Sequence, residues 1–306
     1  MLFTGDKYHE IKPLHIRCID ISKHQTLLMY IPLQPETYAP WLAPYAYGIV
    51  LLGFSLFFFR VFENWYASFY NKPLFRHYFV YKKLTSSQLQ ILKEEVSFYT
   101  QLSKKHKRQY EHRIAQFISE KKFIGRSNLE VNEQMILLIS AMGCMLSFGR
   151  KNYNYGLVEY ILVYPEEFYS TVNNNYHKGE FNPREKALVV SWKDFESGYK
   201  ITDDNFNLGI HEFMHAMQLE ASTSRDLDSI RFKKQFQNIL KRLTQHEVKN
   251  KLAQTQYFRS YAFTNQFEFI AVLAEYFFES PREFKASFPE LYGYTKTILN
   301  FNYAGY

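Results

Sequence analysis

Two histidines four residues apart flank a glutamate in His211-Glu212-Phe213-Met214-His215, inside NFNLGIHEFMHAMQLEA (Asn205 to Ala221). On a helix, positions i and i+4 share a face, so both imidazoles can bind one metal ion while Glu212, turned by about 100°, stands beside it. Neutral imidazole suits Zn²⁺, and a carboxylate next to the metal can take a proton from water. Catalytic zinc takes three protein ligands and leaves one position open, so a third ligand is expected from another element. Glu268 follows His215 by 53 residues, within SYAFTNQFEFIAVLAEYFFES, a second strongly apolar helical pattern in which acids are rare. Glu268, Glu275 and Glu279 are seven and four apart and could lie on one stripe of that helix. Two readings of the stripe stand. The acids are buried and need a cation or donor to offset desolvation, or they form the wet face of an amphipathic helix.

An α+β arrangement of about 220 residues must position these groups. LTSSQLQILKEEV reads as a helix start with Ser86 or Ser87 as its cap. A core helix is expected from Val131 to Leu146, followed by two β-like runs, Val158 to Tyr164 and Ala187 to Trp192. Beyond Asn205 the pattern is mostly helical, and no repeat is visible. The 306 residues are 46% hydrophobic and 22% charged, which excludes fibrous and disordered classes. Two cysteines, Cys18 and Cys144, exclude a disulfide scaffold and a thiolate zinc finger. Aromatic residues reach 19%, with 29 Phe and 25 Tyr, and composition alone does not say whether this reflects bias or use.

A slightly negative mean hydropathy conceals one apolar run. Thr37 to Phe59 (TYAPWLAPYAYGIVLLGFSLFFF) has 23 residues and no ionisable group but tyrosine, long enough to cross about 30 Å of hydrocarbon. Trp41, Tyr45 and Tyr47 on one side and Trp65 and Tyr66 on the other suit interfacial belts. A cleaved signal peptide fits poorly, because 36 residues precede the run and RVFENWY after it offers no small-residue cleavage site. Residues 13–36 hold two Lys or Arg and residues 60–83 hold five, which places the C-terminal part in the cytoplasm. The expected organisation is an N-terminal segment of unassigned role (1–36), a transmembrane helix (37–59), a basic juxtamembrane connector (60–83) and a domain over 84–306. A strand is expected at Leu14 to Ser22.

The net charge of +7 is concentrated. Residues 60–125 carry thirteen Lys or Arg against five Glu and no Asp, and KKHKR (Lys104 to Arg108) is the densest cluster. A solvated helix face and attraction to an anionic leaflet are the two leading readings. Nucleic acid is not an expected partner, because no groove-reading motif accompanies the charge.

IHEFMHAMQLE followed by TNQFEFIAVLAEYFFESPREF resembles the family of Mlc titration factor A, zinc-dependent peptidases related in their catalytic domain to anthrax lethal factor. ILKEEVSFY, FISEKKFIG, EVNEQMILLISAMGCML, VEYILVYPEEF and ALVVSWKDF stand in the family's order, so the likeness covers Leu84 to Asn300 and leaves out the apolar run and the first 36 residues. It implies a zincin-like, gluzincin-type metallopeptidase domain, mostly helical with a small sheet, holding one Zn²⁺ per chain. His211, His215 and Glu268 would be the metal ligands and Glu212 the general base. Tyr261, seven residues before Glu268, would help hold the oxyanion. Lethal factor has an acid four residues after its ligand glutamate; Val272 stands there in this chain, and Glu275 is the candidate replacement. Asn265 and Asp194 match family blocks without an assigned role.

The function implied is a membrane-anchored zinc metallopeptidase of the bacterial inner membrane, with its catalytic domain facing the cytoplasm. Its expected partners are a peptide or protein substrate and, through residues 60–125, an anionic membrane surface. ALVVSW is the expected edge strand along which an extended substrate pairs. The alternative is a membrane-held protein that sequesters a transcriptional regulator, with a structural or vestigial zinc site, since family members are associated with binding a repressor of sugar uptake. Intact Glu212 and Tyr261 favour the enzyme. A multi-span membrane peptidase with HExxH is a further reading, and only one span is visible.

Overall fold

Proline at the first turn and an unbroken apolar run set the first helix. The computed structural model describes residues 40–70, 78, 80–170 and 174–300. The first 36 residues, with the strand expected at 14–22, lie outside the described residues, as do 37–39 of the apolar run and parts of the connector. A 3₁₀ turn (Pro40–Leu42) leads into α1 (Ala43–Tyr70). Trp41, Tyr47, Ile49, Leu51, Phe54 and Phe58 each expose more than half of their surface, and Pro40–Glu63 is long and apolar enough to cross a membrane. The chain divides inside α1 into two units, Met1–Phe54 and Ser55–Tyr306. All that follows concerns the second.

Helix α2 (Ser86–Glu95) starts from Thr85, whose hydroxyl accepts from the Gln88 N–H at 3.2 Å while the Gln88 side chain accepts from the Thr85 N–H at 2.9 Å. This capping box corrects the cap expected at Ser86 or Ser87: Thr85 has Gln88 at the fourth position, and both reciprocal bonds of the box are made there. A short α3 (Ser97–Gln101) follows, then α4 (Lys104–Glu120), capped by Ser103. Helix α5 (Glu133–Leu146) begins after its cap Asn132, two residues later than expected, and is buried along most of its length. Gly143 lets α5 approach the next core helix closely, since a Cβ there would meet the Phe213 ring at 2.9 Å.

The sheet has the order β1-β2-β6-β5, built from β1 (Lys122–Gly125), β2 (Tyr160–Tyr164), β5 (Gly179–Asn182) and β6 (Ala187–Ser191). The first three neighbours are parallel, and β5 runs antiparallel to β6. A separate hairpin joins β3 (Phe168–Ser170) to β4 (Asn175–His177). The expectation that ALVVSW forms an edge strand is overturned. All five residues of β6 are buried between β2 and β5, as a run apolar on both faces requires, and Trp192 belongs to the following helix. The edge on that side is β5, whose polar sequence GEFN tolerates half-burial.

The remaining helices are α6 (Trp192–Lys200), α7 (Leu208–Thr223), α8 (Leu227–Leu243), α9 (His246–Thr255), α10 (Gln266–Glu279), α11 (Pro281–Ser287) and α12 (Pro289–Leu299). The unit is mostly helical with a small sheet, as the α+β reading expects. Much of the aromatic content packs inside it: Phe258 lies against Phe269, Tyr276, Phe284 and Phe288 with ring centroids 4.9 to 5.7 Å apart.

Candidate active site

Helix α7 is fixed at its start by Asn207, whose side-chain oxygen accepts from the Ile210 N–H at 3.0 Å. One turn further on are His211 and Glu212, 7% and 5% exposed, and then His215. The two imidazole centroids are 4.7 Å apart at 85°.

The third group arrives on α10. The single helix expected over SYAFTNQFEFIAVLAEYFFES is in fact two pieces, a 3₁₀ turn (Ser260–Phe263) and α10, separated at Thr264 and Asn265. Asn265 caps α10 by accepting from the N–H groups of Phe267 and Glu268 at 2.8 and 3.0 Å, which sets Glu268 in the first turn. Its Oε2 lies 2.8 Å from His211 Nε2 and 3.4 Å from His215 Nε2. One ligand atom from each of His211, His215 and Glu268 falls within 4.8 Å of the others. The break in the chain also brings Tyr261, half-exposed, to 5.8 Å from the His211 ring between centroids.

Glu275 and Glu279 do not form a wet face. Glu275 has no exposed surface. Its Oε1 lies 2.6 Å from His211 Nδ1, the Arg259 guanidinium donates to both of its oxygens at 2.7 and 2.8 Å, and the Asn207 N–H donates at 3.0 Å. Glu279 accepts from the Asn207 side chain at 3.1 Å and from the Phe206 N–H at 3.2 Å. Arg259 has no sequence signal of its own: it lies outside any helix, and only the fold brings it to Glu275. Asp194 is not among the three converging groups: it accepts from Ser191 Oγ at 2.6 Å and pairs with Lys178 at 2.7 Å just before β5.

The electrostatics follow from burial and these contacts. Burial alone would lower the pKa of His211, but hydrogen bonds to Glu268 and Glu275 outweigh it and raise the value to about 10. Burial pushes Glu268 up, yet its bonds to the two imidazoles dominate and hold it well below the usual carboxylate range. Glu212 is raised chiefly by burial, against the opposing charges of His211 and His215. Tyr261 is raised by burial and then by the Glu268 charge, so it remains a phenol. A Cβ at Gly179 on β5 would come within 2.5 Å of Glu212 Oε1, so the edge strand runs directly against this carboxylate.

This donor set fits Zn²⁺. The Nδ1 of His211 is engaged by Glu275, which leaves its Nε2 facing the same point as His215 and Glu268, and two imidazoles with one carboxylate make a three-ligand set with one position to spare.

An uncharacterized protein of Synechocystis sp. is 26% identical to the chain over 218 residues, which covers 66% of this chain and 79% of that protein. The model of the glucose-regulated metallo-peptidase M90 family matches residues 75–299, a stretch that includes the HExxH helix, the 3₁₀ turn of Tyr261 and all of α10. The likeness to the Mlc titration factor A group read from the sequence is thereby borne out, and the chain belongs to the glucose-regulated metallo-peptidase family M90.

Proposed function

We propose that the chain is a membrane-anchored zinc metallopeptidase, with residues 84–306 as its zincin-like catalytic domain and Glu212 as general base. The observation that carries the reading is the convergence of His211, His215 and Glu268 within 4.8 Å, with Glu212 buried beside them on the same helix. A zinc ion held by those three residues would supply Lewis acidity, polarising a scissile carbonyl and lowering the pKa of a water towards about 7. Glu212 accepts the proton of the attacking water and returns it to the departing amine. Tyr261 donates its phenol proton in a hydrogen bond to the developing oxyanion. Glu275, itself clamped by Arg259, holds the His211 ring in orientation. β5 is the edge available to an extended peptide, which gains backbone hydrogen bonds with little demand on its sequence.

The apolar surface of α1 supports its reading as a single membrane span, and the Lys and Arg bias supports a cytoplasmic domain. The basic stretch 60–125 then faces the anionic leaflet. The test is cleavage of a peptide library by the full chain and by Glu212→Gln, alongside zinc stoichiometry. The expected result is one zinc per chain in both proteins and turnover in the wild type alone. Near-normal turnover by Glu212→Gln removes Glu212 as base. Bound zinc with no cleavage by either protein moves the assignment to the regulator-binding alternative.

A further inference from the structure

Where the connector meets the start of α4, the chain gathers cations that peptide hydrolysis does not use. Lys82 and Lys83 from the connector and Lys104, Lys107 and Arg108 from α4 line a hollow of about 440 Å³. The acid on its wall, Glu111, accepts the Tyr99 hydroxyl at 2.6 Å, and among the described residues none of the five cations is paired with a carboxylate. Three of them are instead aligned by uncharged partners. Arg108 lies 4.2 Å over the Tyr81 ring, Lys107 lies 5.1 Å from the Tyr99 ring, and Lys82 Nζ donates to Ser119 Oγ at 2.7 Å. These three are therefore held in place without being neutralised. The cluster also occupies the first turn of α4, where no acid offsets the positive end of the helix dipole. Like charges so placed repel each other, and an anion in the hollow offsets that cost.

The hollow and the C-terminal end of α1 belong to the same unit of the chain. Glu63, near the end of the apolar stretch and 9% exposed, pairs with Lys151 at 3.2 Å, tying the end of α1 to this unit. The Tyr78 ring packs against His112 with centroids 4.0 Å apart and the planes tilted by 39°, so the connector reaches α4 just before the hollow. Tyr81 follows Tyr70 by eleven positions, a reach of at most about 40 Å.

We infer that this hollow binds the phosphate headgroup of an anionic lipid in the leaflet next to the C-terminal end of α1, an inference that rests on the reading of α1 as a span. The test uses the full chain in nanodiscs of phosphatidylcholine with or without phosphatidylglycerol, read by the rate of lysine acetylation at each site. Phosphatidylglycerol is expected to slow acetylation of Lys83, Lys104 and Lys107 by at least about threefold relative to Lys249 on α9. Lys104→Gln/Lys107→Gln, which relieves the helix dipole and so leaves folding intact, is expected to abolish the protection of Lys83. An embedded chain whose lysines ignore phosphatidylglycerol overturns the headgroup site and leaves the span standing. Equal protection by millimolar inorganic phosphate in phosphatidylcholine discs overturns the lipid source in favour of a free anion. A chain that stays soluble without entering the discs overturns the span, and the headgroup site with it.

Discussion

The Oε1 of Glu275 lies 2.6 Å from the Nδ1 of His211, while the Nε2 of the same ring faces Glu268 at 2.8 Å. Glu275 is thus the group that decides which nitrogen of His211 is free to bind a metal, and it is buried completely while Arg259 grips both of its oxygens. Glu275→Gln keeps the shape and removes the charge. It should lower zinc affinity by about 10- to 100-fold with little change in fold. Competition with a chelator measures this, and unchanged affinity would show that His211 is oriented by something else. Glu275→Ala should in addition unfold more readily, by about 3 kcal/mol or more, because it strands the Arg259 guanidinium.

Gly179 is the second site where a small change should reach the chemistry. Any Cβ there would lie 2.5 to 2.7 Å from the Glu212 carboxylate, a distance that one of the two must give up. Glu212 is 5% exposed and sits on a packed helix, so it has little freedom to yield. Gly179→Ala should cut kcat by about 100-fold with full zinc occupancy, since a displacement of about 1 Å costs that much. Retained activity would show that β5 shifts and that Glu212 is not held by it.

The HExxH helix, the acid on α10 and the two apolar strands β2 and β6 were legible because each leaves a periodic or chemically rare pattern: two histidines at helical spacing, acids inside an apolar helix, and short apolar runs between turn residues, whereas the short, more polar β1 and β5 leave none. The break before α10 had a signal that periodicity overrides, Asn265 three residues before Glu268, the spacing of a cap and its third helical residue. Strand order had none. Apolar β6 and polar β5 differ in burial, and an apolar run reads equally as an edge with one hidden face or an interior strand with two, so pairing with β2 decides it. Arg259 was invisible for a different reason, because its partner Glu275 is sixteen residues away on another element and local spacing does not encode that pair.

Stability has its own buried charge. Arg113, 2% exposed, donates to the carbonyls of Ser147, Phe148 and Arg150 at 3.1, 3.2 and 2.9 Å, just past the C-terminal end of α5. It satisfies acceptors that would otherwise be orphaned, at the negative end of a core helix. Arg113→Met fills the space and abandons the three carbonyls, so it should cost about 2 to 4 kcal/mol. Thermal unfolding of the full chain in detergent should show a midpoint lower by about 5 to 12 °C. A midpoint unchanged to within a degree would mean that water reaches these carbonyls.

Glu279 gives the pH dependence a definite sign. Burial raises its pKa from 4.5 to about 7; the Asn207 amide opposes the shift, Asp204 and Glu275 add to it by like charge, and the Phe206 N–H opposes it. A carboxyl whose folded pKa is raised keeps its proton in the folded state after the unfolded chain has lost it, so its contribution to stability falls as pH rises from about 4.5 to about 7 and is level above that. The full shift corresponds to about 3 kcal/mol, and partial exposure reduces this to about 1 to 2. Glu279→Gln cannot ionise and removes this slope. Relative to the wild type, the variant should therefore gain about 1 to 2 kcal/mol between pH 5 and pH 8, measured as the difference in unfolding free energy at the two pH values. Other groups titrating in the same window cancel in that difference. A gap between the two proteins that stays constant across the window would mean that Glu279 is already ionised at pH 5, and that the Asn207 amide and the Phe206 N–H outweigh its burial.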